Sequence, residues 1–395
     1  MKRALIVASV ASHIEQFCMN DAALLRELGH EVDIACNFKH GNACSTEKVD
    51  AFLKGLDAEG YGHTQIDFDR SAVHLGAHVH AYGQLKQLID ENGYDLIHCH
   101  TPIGGAICRA AARKTRKHGT KVLYTAHGFH FFTGAPLKNW LLYYPVEKLC
   151  AHWTDVLITI NREDYERAKR KLRAGIVEYI PGVGIDLERF RPGRFTPEEI
   201  AETRTALGVA ADEKLLLSVG ELSANKSHET VIRALAELNN AKLKYAVCGC
   251  GAQEGRLREL VNRFDLEKQV MLLGYRTDVD RLYASADLFV FPSRREGLPV
   301  ALMEALASGL PAVCTRIRGN VELTEPEAWF SAHDAHSCAE KIRAYLYRDN
   351  AAEIERNLER IKAFNREHVR DRMRDIYQSA SAYEKDMKRE AVVRS

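Results

Sequence analysis

Apolar and polar positions follow two alternating rhythms along this chain. Short runs rich in Val, Ile and Leu, apolar at nearly every position, predict strands at Ala4–Val10, Val32–Cys36, Leu96–His100, Val122–Ala126, Val156–Ile160 and Val177–Ile180. Longer stretches between them carry a helical period: Gln16–Leu28, His80–Glu91, Gly104–Lys117 and Leu137–His152. Strands that are apolar on both faces and separated by helices belong to a parallel sheet covered on both sides. The rhythm breaks at Pro181-Gly182-Val183-Gly184 and again at Arg191-Pro192-Gly193, as a linker does. A second series then opens, with strands expected at Leu215–Val219, Tyr245–Cys248, Val270–Leu273, Leu288–Pro292 and Pro311–Cys314. From about Asp334 to Ser395 the pattern is helical, and Arg366–Glu390 holds neither Gly nor Pro. The expected fold class is α/β, with two Rossmann-like domains at 1–185 and 186–369. Ligands of such sheets bind at the carboxyl ends of the strands, so two facing sheets would place a site in the gap between them.

Composition narrows the classes. The chain has 395 residues, 55 Lys and Arg against 54 Asp and Glu, and 46% hydrophobic residues. A balanced charge argues against a general nucleic-acid binder. Ten cysteines without paired spacing read as reduced thiols of a cytoplasmic protein. Met1-Lys2-Arg3 and the apolar residues behind it imitate a secretory leader, but the run is short and His13 and Glu15 follow, so a first buried strand is the better reading. No apolar run approaches the roughly 18 residues of a membrane span.

The richest segment runs from Phe289 to Pro311. A strand ends at Pro292, Gly297 loosens the turn, and Pro299 suits the first helical position. The start of such a helix presents N–H groups and positive partial charge to a diphosphate. Glu296 falls in the loop and Glu304 two turns into the helix, so the two carboxylates can meet different parts of one ligand. The plain alternative makes Glu296 a surface residue and Glu304 an exposed helix residue, although Leu302, Met303 and Leu306 surround the latter.

This Glu-x7-Glu segment resembles the signature of family-four retaining glycosyltransferases of the GT-B fold. The resemblance extends to Ser218-Val-Gly220-Glu-Leu-Ser-Ala-Asn-Lys226, Gly274-Tyr275, Ser285-Ala-Asp287-Leu-Phe-Val-Phe-Pro292 and Pro181-Gly-Val-Gly-Ile-Asp186, and so covers almost the whole chain. Ser12-His13, Gln16-Phe17, Met19-Asn20 and Thr125-Ala-His127-Gly128-Phe129-His130-Phe131 resemble a capsule and exopolysaccharide subgroup. The resemblance implies that the N-terminal domain binds the acceptor, with a terminal helix of about 370–395 packed back on it, and that the C-terminal domain binds a nucleotide sugar. It implies that Glu304 takes the ribose hydroxyls, Glu296 a hydroxyl of the donor hexose, and the Gly297 and Leu298 N–H groups the sugar and phosphates. It implies that Lys226, beside Gly220, neutralises the diphosphate, that Tyr275 and Arg276 meet the base, and that His127 faces the donor sugar. Ser12, His13, His100, Phe129 and His130 are then acceptor-side candidates. One departure stands out: the family's usual Arg after the Gly of the Val-Gly turn is Glu221 here, and Arg316 or Arg318 is the candidate substitute for that second phosphate cation.

Rival signals are weaker. Asp67-Phe-Asp69 and Asp278-Val-Asp280 match a metal-binding triplet, but Asp278 and Asp280 read as helix caps. His98-x-His100 and His127-x-x-His130 suggest zinc less than substrate contact or packing. Gly249-Cys-Gly251-Ala-Gln-Glu-Gly255 is one residue too long for a dinucleotide fingerprint and fits a tight turn beside the nucleotide. A basic cluster, Arg109, Arg113, Lys114, Arg116, Lys117 and Lys121, and a second one, Lys169, Arg170, Lys171 and Arg173, read either as solvated faces or as attractors of anionic lipid. With Phe129, Phe131, Phe132, Trp140, Leu141, Leu142, Tyr143 and Tyr144 nearby, they suggest docking at the inner face of the cell membrane.

The expected activity is therefore transfer of a hexose or N-acetylhexosamine, with UDP-N-acetylglucosamine the leading donor, to a polyprenyl-diphosphate-linked saccharide. By the same resemblance the α configuration is kept, and neither a metal nor another cofactor is needed. The alternatives are a UDP-sugar epimerase of the same fold and a non-catalytic subunit that binds nucleotide sugars.

Overall fold

A computed structural model of the chain describes residues 1–42, 45–69, 71 and 73–393, with side chains described as far as Ala380. The chain divides into two compact units, Met1–Val183 with Val369–Ser395, and Gly184–His368.

The first unit holds a seven-stranded sheet. Its strands are β1 (Lys2–Val10), β2 (His30–Asn37), β3 (Gly62–Gln65), β4 (Leu96–His100), β5 (Lys121–Ala126), β6 (Val156–Thr159) and β7 (Ile176–Tyr179), in the order β3-β2-β1-β4-β5-β6-β7. Every neighbouring pair is parallel. In β1, Ala4 to Ala8 are fully buried, as a central strand covered on both faces requires. The register of β1 on β2 shifts between Val7 and Val10, where the strand gives way to a short helical turn and then a wide π-type turn, Ile14–Cys18. The sequence pattern predicts an ordinary helix from Gln16; the wider turn is a single-turn device that often accompanies a functional site.

The second unit holds six parallel strands, β8 (Lys214–Val219), β9 (Leu243–Cys248), β10 (Val270–Leu272), β11 (Leu288–Phe291), β12 (Ala312–Thr315) and β13 (Trp329–Phe330), in the order β10-β9-β8-β11-β12-β13. The central strands β8 and β11 are flanked on both sides, and Leu216, Leu288 and Val290 are fully buried.

The sequence pattern misses β3 and β13. Both are edge strands, and β3 reads Gly-His-Thr-Gln with no apolar position to mark it. An edge strand needs only one partner and can stay polar.

The C-terminal helix runs Arg366–Val393. Within the first unit it is pinned by Tyr377, fully buried, and by Arg370 and Arg374, both on Glu27. Cys44 lies outside the described residues, and the other nine cysteines are free thiols, all buried except Cys250.

Candidate active site

In the second unit, three loops at the carboxyl ends of the strands converge. β8 ends at Val219, and Gly220 follows with φ of 156°. β9 ends at Cys248, and Gly249 presses so closely that a Cβ there would lie 1.9 Å from the Gly220 carbonyl oxygen. The Gly249 N–H donates to the Gly274 carbonyl at 2.8 Å, tying in the loop after β10. Glycine is required at 249 by this approach, so the 249–255 segment is a tight turn against the Gly220 loop.

The Gly220 loop is then sewn to the loop after β11. Asn225 accepts from the Arg294 N–H at 2.8 Å, and its side-chain amide donates to the Arg295 carbonyl at 2.9 Å. This brings the Lys226 ammonium to 2.8 Å from the Glu296 carboxylate, with both side chains partly buried. The same ammonium sits 5.0 Å from the centre of the Phe291 ring. Arg318 arrives from the turn after β12 and donates to the Glu296 carbonyl at 3.0 Å. Its neighbour Gly319 packs against Gly297 and Pro299, where a Cβ would lie 2.6 Å from the Gly297 carbonyl oxygen. Lys226, Glu296, Gly297 and Arg318 thus share one locus, and Leu298 is buried beneath it. Arg316 turns away, its guanidinium over Trp329. The Glu221 side chain is exposed.

Pro299 stands just before the helix Val300–Ala307 in extended conformation, one position earlier than expected, because its φ of −81° is paired with a ψ of 115°. Glu304 lies just over one turn along, not the two expected, and is not an exposed helix residue. Its carboxylate accepts from the Tyr283 hydroxyl at 3.1 Å, and that hydroxyl lies equally close to the Ala301 carbonyl. Burial pushes the Glu304 carboxyl up to about 7, against the lowering influence of Tyr283 and of the Arg189 charge. Tyr283 was not singled out from the sequence, since a Tyr in an apolar stretch carries no mark of its partner.

Tyr275 is exposed. Arg276 grips Asp278 in a two-point ion pair at 2.8 and 2.5 Å, which holds the Asp278 carboxyl below its usual range. This corrects the capping expectation: Asp278 stands before the helix Val279–Ser285 but caps nothing with its side chain, and Asp280 faces Arg189 and Arg194 at 3.5 Å each. An arginine two residues away outcompetes the helix end for the carboxylate.

In the first unit, a histidine cluster forms where β4 and β5 end. His100 Nδ1 and His127 Nε2 are hydrogen-bonded at 3.1 Å, and the His13 ring meets the His127 ring edge-on at 4.6 Å. Ser12 is anchored by its own N–H on Asn42. His98 spends both ring nitrogens, one with the Tyr377 hydroxyl at 2.7 Å and one with the Thr125 hydroxyl at 2.8 Å, so it is a packing residue. Burial pushes His127 down to about 4 and His98 to about 3, and His100 well down too, so all three rings are neutral at pH 7. Ligand-type atoms of His13, Cys18 and His100 lie within 4.8 Å of one another, as do those of Asp21, His98 and His100. A metal in the second set would have to displace one of the two hydrogen bonds of His98.

Phe129 and His130 have ring partners outside this cluster. Phe129 is buried and stacked on Phe131, and the His130 ring lies tilted against Tyr143 with ring centres 4.4 Å apart. Arg109 also departs from expectation. It is no surface charge but is fully buried, paired with Glu147 at 2.6 and 3.0 Å and laid 3.8 Å over the Tyr124 ring. Its helix turns that face inward, where Glu147 on the neighbouring helix makes burial of the guanidinium tolerable.

Residues 14–189 match the family described as Glycosyltransferase Family 4, and residues 199–362 match Glycosyl transferases group 1. The Putative glycosyltransferase EpsD of Bacillus subtilis (strain 168) is 39% identical over 325 residues, covering 82% of this chain and 81% of that protein. The chain belongs to glycosyltransferase family 4. A second relative in this group is the UDP-Gal:alpha-D-GlcNAc-diphosphoundecaprenol alpha-1,3-galactosyltransferase of Escherichia coli, 30% identical over 251 residues, 62% of this chain and 63% of that one. Among solved structures, Anabaena Alr3699/HepE in complex with UDP and glucose superposes with a TM-score of 0.75 at 19% identity, over 96% of this chain and all of that one. WaaG, a glycosyltransferase involved in lipopolysaccharide biosynthesis, gives a TM-score of 0.70 at 17% identity, over 94% and 98%. At these identities the likeness is one of fold, and the fold is GT-B. As a family-four member the chain is a glycosyltransferase. Among the described residues, no helix is long and apolar enough to cross a membrane.

Proposed function

We propose that the protein transfers a hexose or N-acetylhexosamine, N-acetylglucosamine first among them, from a UDP-sugar to a polyprenyl-diphosphate-linked saccharide. The α configuration of the donor is retained, and the product belongs to exopolysaccharide or capsule assembly at the inner membrane face. The observation that carries this reading is the Lys226–Glu296–Arg318 locus, with Glu304 about one turn into the helix that follows. The name of the E. coli relative, which acts on a GlcNAc-diphosphoundecaprenol, supports the class of acceptor.

In this reading Glu304 accepts the two ribose hydroxyls, and the exposed Tyr275 and the backbone at Arg276 meet the uracil. The turn at Gly220 lets the diphosphate approach the backbone. Lys226 and Arg318 neutralise it, which replaces a divalent cation. Glu296 and the N–H groups of Gly297 and Leu298 hold the sugar. The acceptor hydroxyl attacks the anomeric carbon from the face the diphosphate leaves. The C1–O bond breaks with its electron pair going to the phosphate oxygen, which takes the hydroxyl proton. Charge grows on the leaving group, and two fixed cations stabilise it most at that moment.

The test is a screen of UDP-sugars against polyprenyl-diphosphate saccharides, with the product anomer read by NMR. Transfer with an α linkage is expected. Turnover of the nucleotide sugar without acceptor would make the protein an epimerase, and no turnover under any pairing would make it a binding subunit.

A further inference from the structure

The helix Leu137–Ala151 is unlike the others in the first unit. Leu137, Leu141, Leu142, Val146 and Leu149 are all largely exposed and fall on one face of it. Leu75 and Val79, at the start of the helix Leu75–Asn92, are exposed to a similar degree. Contiguous exposed apolar surface of this kind marks a contact site.

A cavity of about 280 Å³ opens beside these residues. Leu75, Leu142 and Val146 stand at its rim, and Ile103, Ala106 and Phe131 line it further in. Its polar groups are few. The Glu147 carboxylate at one wall is already taken by Arg109, and Tyr124 lies beneath that guanidinium. His78, whose buried Nδ1 finds no partner among the described residues, His130 and Tyr143 are its other polar side chains, too few to replace the hydration of a saccharide filling it. An unbranched or methyl-branched hydrocarbon would lose nothing.

The cavity also abuts the histidine cluster along the chain. Gly128, Phe129, His130 and Phe131 form one wall, and His127 immediately precedes them. The exposed charges of the helix Leu137–Ala151 are positive, Lys138 and Lys148, a sign suited to a diphosphate or an anionic surface.

The geometry points to this cavity as the binding site for the proximal isoprene units of the acceptor's polyprenyl chain, with the diphosphate at its mouth and the saccharide toward His127. This rests on the acceptor class proposed above and adds a place for its lipid. It accounts for Phe129 and His130 lying apart from the other acceptor-side candidates: they meet the tail, not the sugar.

The experiment compares acceptors carrying the same diphosphate-saccharide on prenyl tails of increasing length, together with a short-alkyl acceptor, in detergent below its micelle-forming concentration. KM should fall with tail length and then level off once a finite cavity is full. Ala106→Phe, which fills the cavity, and Leu142→Gln, which alters only its rim, should each raise the ratio of prenyl-acceptor KM to short-alkyl KM about tenfold or more for the first and several-fold for the second. Donor KM reports that Ala106→Phe has folded. A ratio that does not change in either variant overturns the cavity assignment while leaving the transferase reading intact. A KM that keeps falling with every added isoprene also overturns it, because it reports partition into bulk lipid. A shift of oligomeric state in Leu142→Gln with the ratio unchanged would assign the face to a second copy of the chain. Failure of the wild type to use any polyprenyl-diphosphate acceptor overturns both readings.

Discussion

The Tyr283 hydroxyl lies 3.1 Å from the Glu304 carboxylate and restrains a group that burial raises to about 7. Two ribose hydroxyls can both donate only to the ionised form. Affinity for a nucleotide sugar should therefore be full above pH 8 and weaken as pH falls through about 7, by up to about tenfold per pH unit below it. Calorimetric titration from pH 5.5 to 9 measures this, with UDP-sugar preferred to UDP because the terminal phosphate of UDP titrates nearby. Tyr283→Phe should move the midpoint upward and weaken binding several-fold at pH 7. Glu304→Gln should bind weakly at every pH, and a sloping profile in that variant would show that another group titrates.

In the proposed reaction Lys226 should bear on the chemical step more than on binding. Lys226→Ala should lower kcat on the order of a hundredfold or more, with a smaller change in donor affinity. Single-turnover rates at saturating donor separate the two effects. Because Glu296 loses its partner in this variant, Lys226→Arg is the control and should recover part of the rate. Equal losses in binding and rate would make Lys226 a ground-state anchor.

The buried Arg109–Glu147 pair predicts an asymmetric cost. Glu147→Ala leaves a guanidinium without its counter-charge and should destabilise the protein by about 3–5 kcal/mol. Replacing both partners, Arg109→Met with Glu147→Leu, should recover much of that loss. Urea unfolding followed by tryptophan fluorescence would report it, since Trp140 and Trp153 lie in the same unit. Equal losses in the single and double variants would mean that the pair itself is net stabilising.

The histidine cluster gives stability its own pH dependence. Burial depresses His98 and His127 to about 3 and about 4, from an unfolded value near 6.5. Between these limits the unfolded chain binds more protons than the folded one. The contribution is thus fully present above pH 6.5 and is lost as pH falls toward 4. The melting temperature should drop between pH 7 and pH 5, and His98→Phe should flatten that slope. Imidazole NMR signals of these rings should stay neutral to below pH 5, and kcat should show no limb near 6.5 from His127.

Most of the architecture was legible because the signals that carry it are local. Apolar runs marked eleven of the thirteen strands, and the helix start after β11 is written in Gly297 and Pro299. Glu296 and Glu304 stood out because a carboxylate in the loop before a helix start, or inside an apolar helix, asks for a reason, whereas Lys226 was marked only by the resemblance of its segment to the family's. The edge strands β3 and β13 went unread, since pairing along one side leaves little imprint on composition.

What the sequence by itself determined is the order of strands and helices, the parallel character of both sheets, and the set of polar residues placed at strand ends, because hydrophobic period and backbone stereochemistry act over a few neighbours. Only the tertiary structure decided that Arg318, and not Arg316, joins Lys226 and Glu296, that Tyr283 holds Glu304, that Arg109 lies buried on Glu147, and that Phe129 and His130 leave the histidines to line an apolar cavity. Those pairings join residues tens of positions apart, and burial and charge compensation at such distances are properties of the packed chain, which no local pattern encodes.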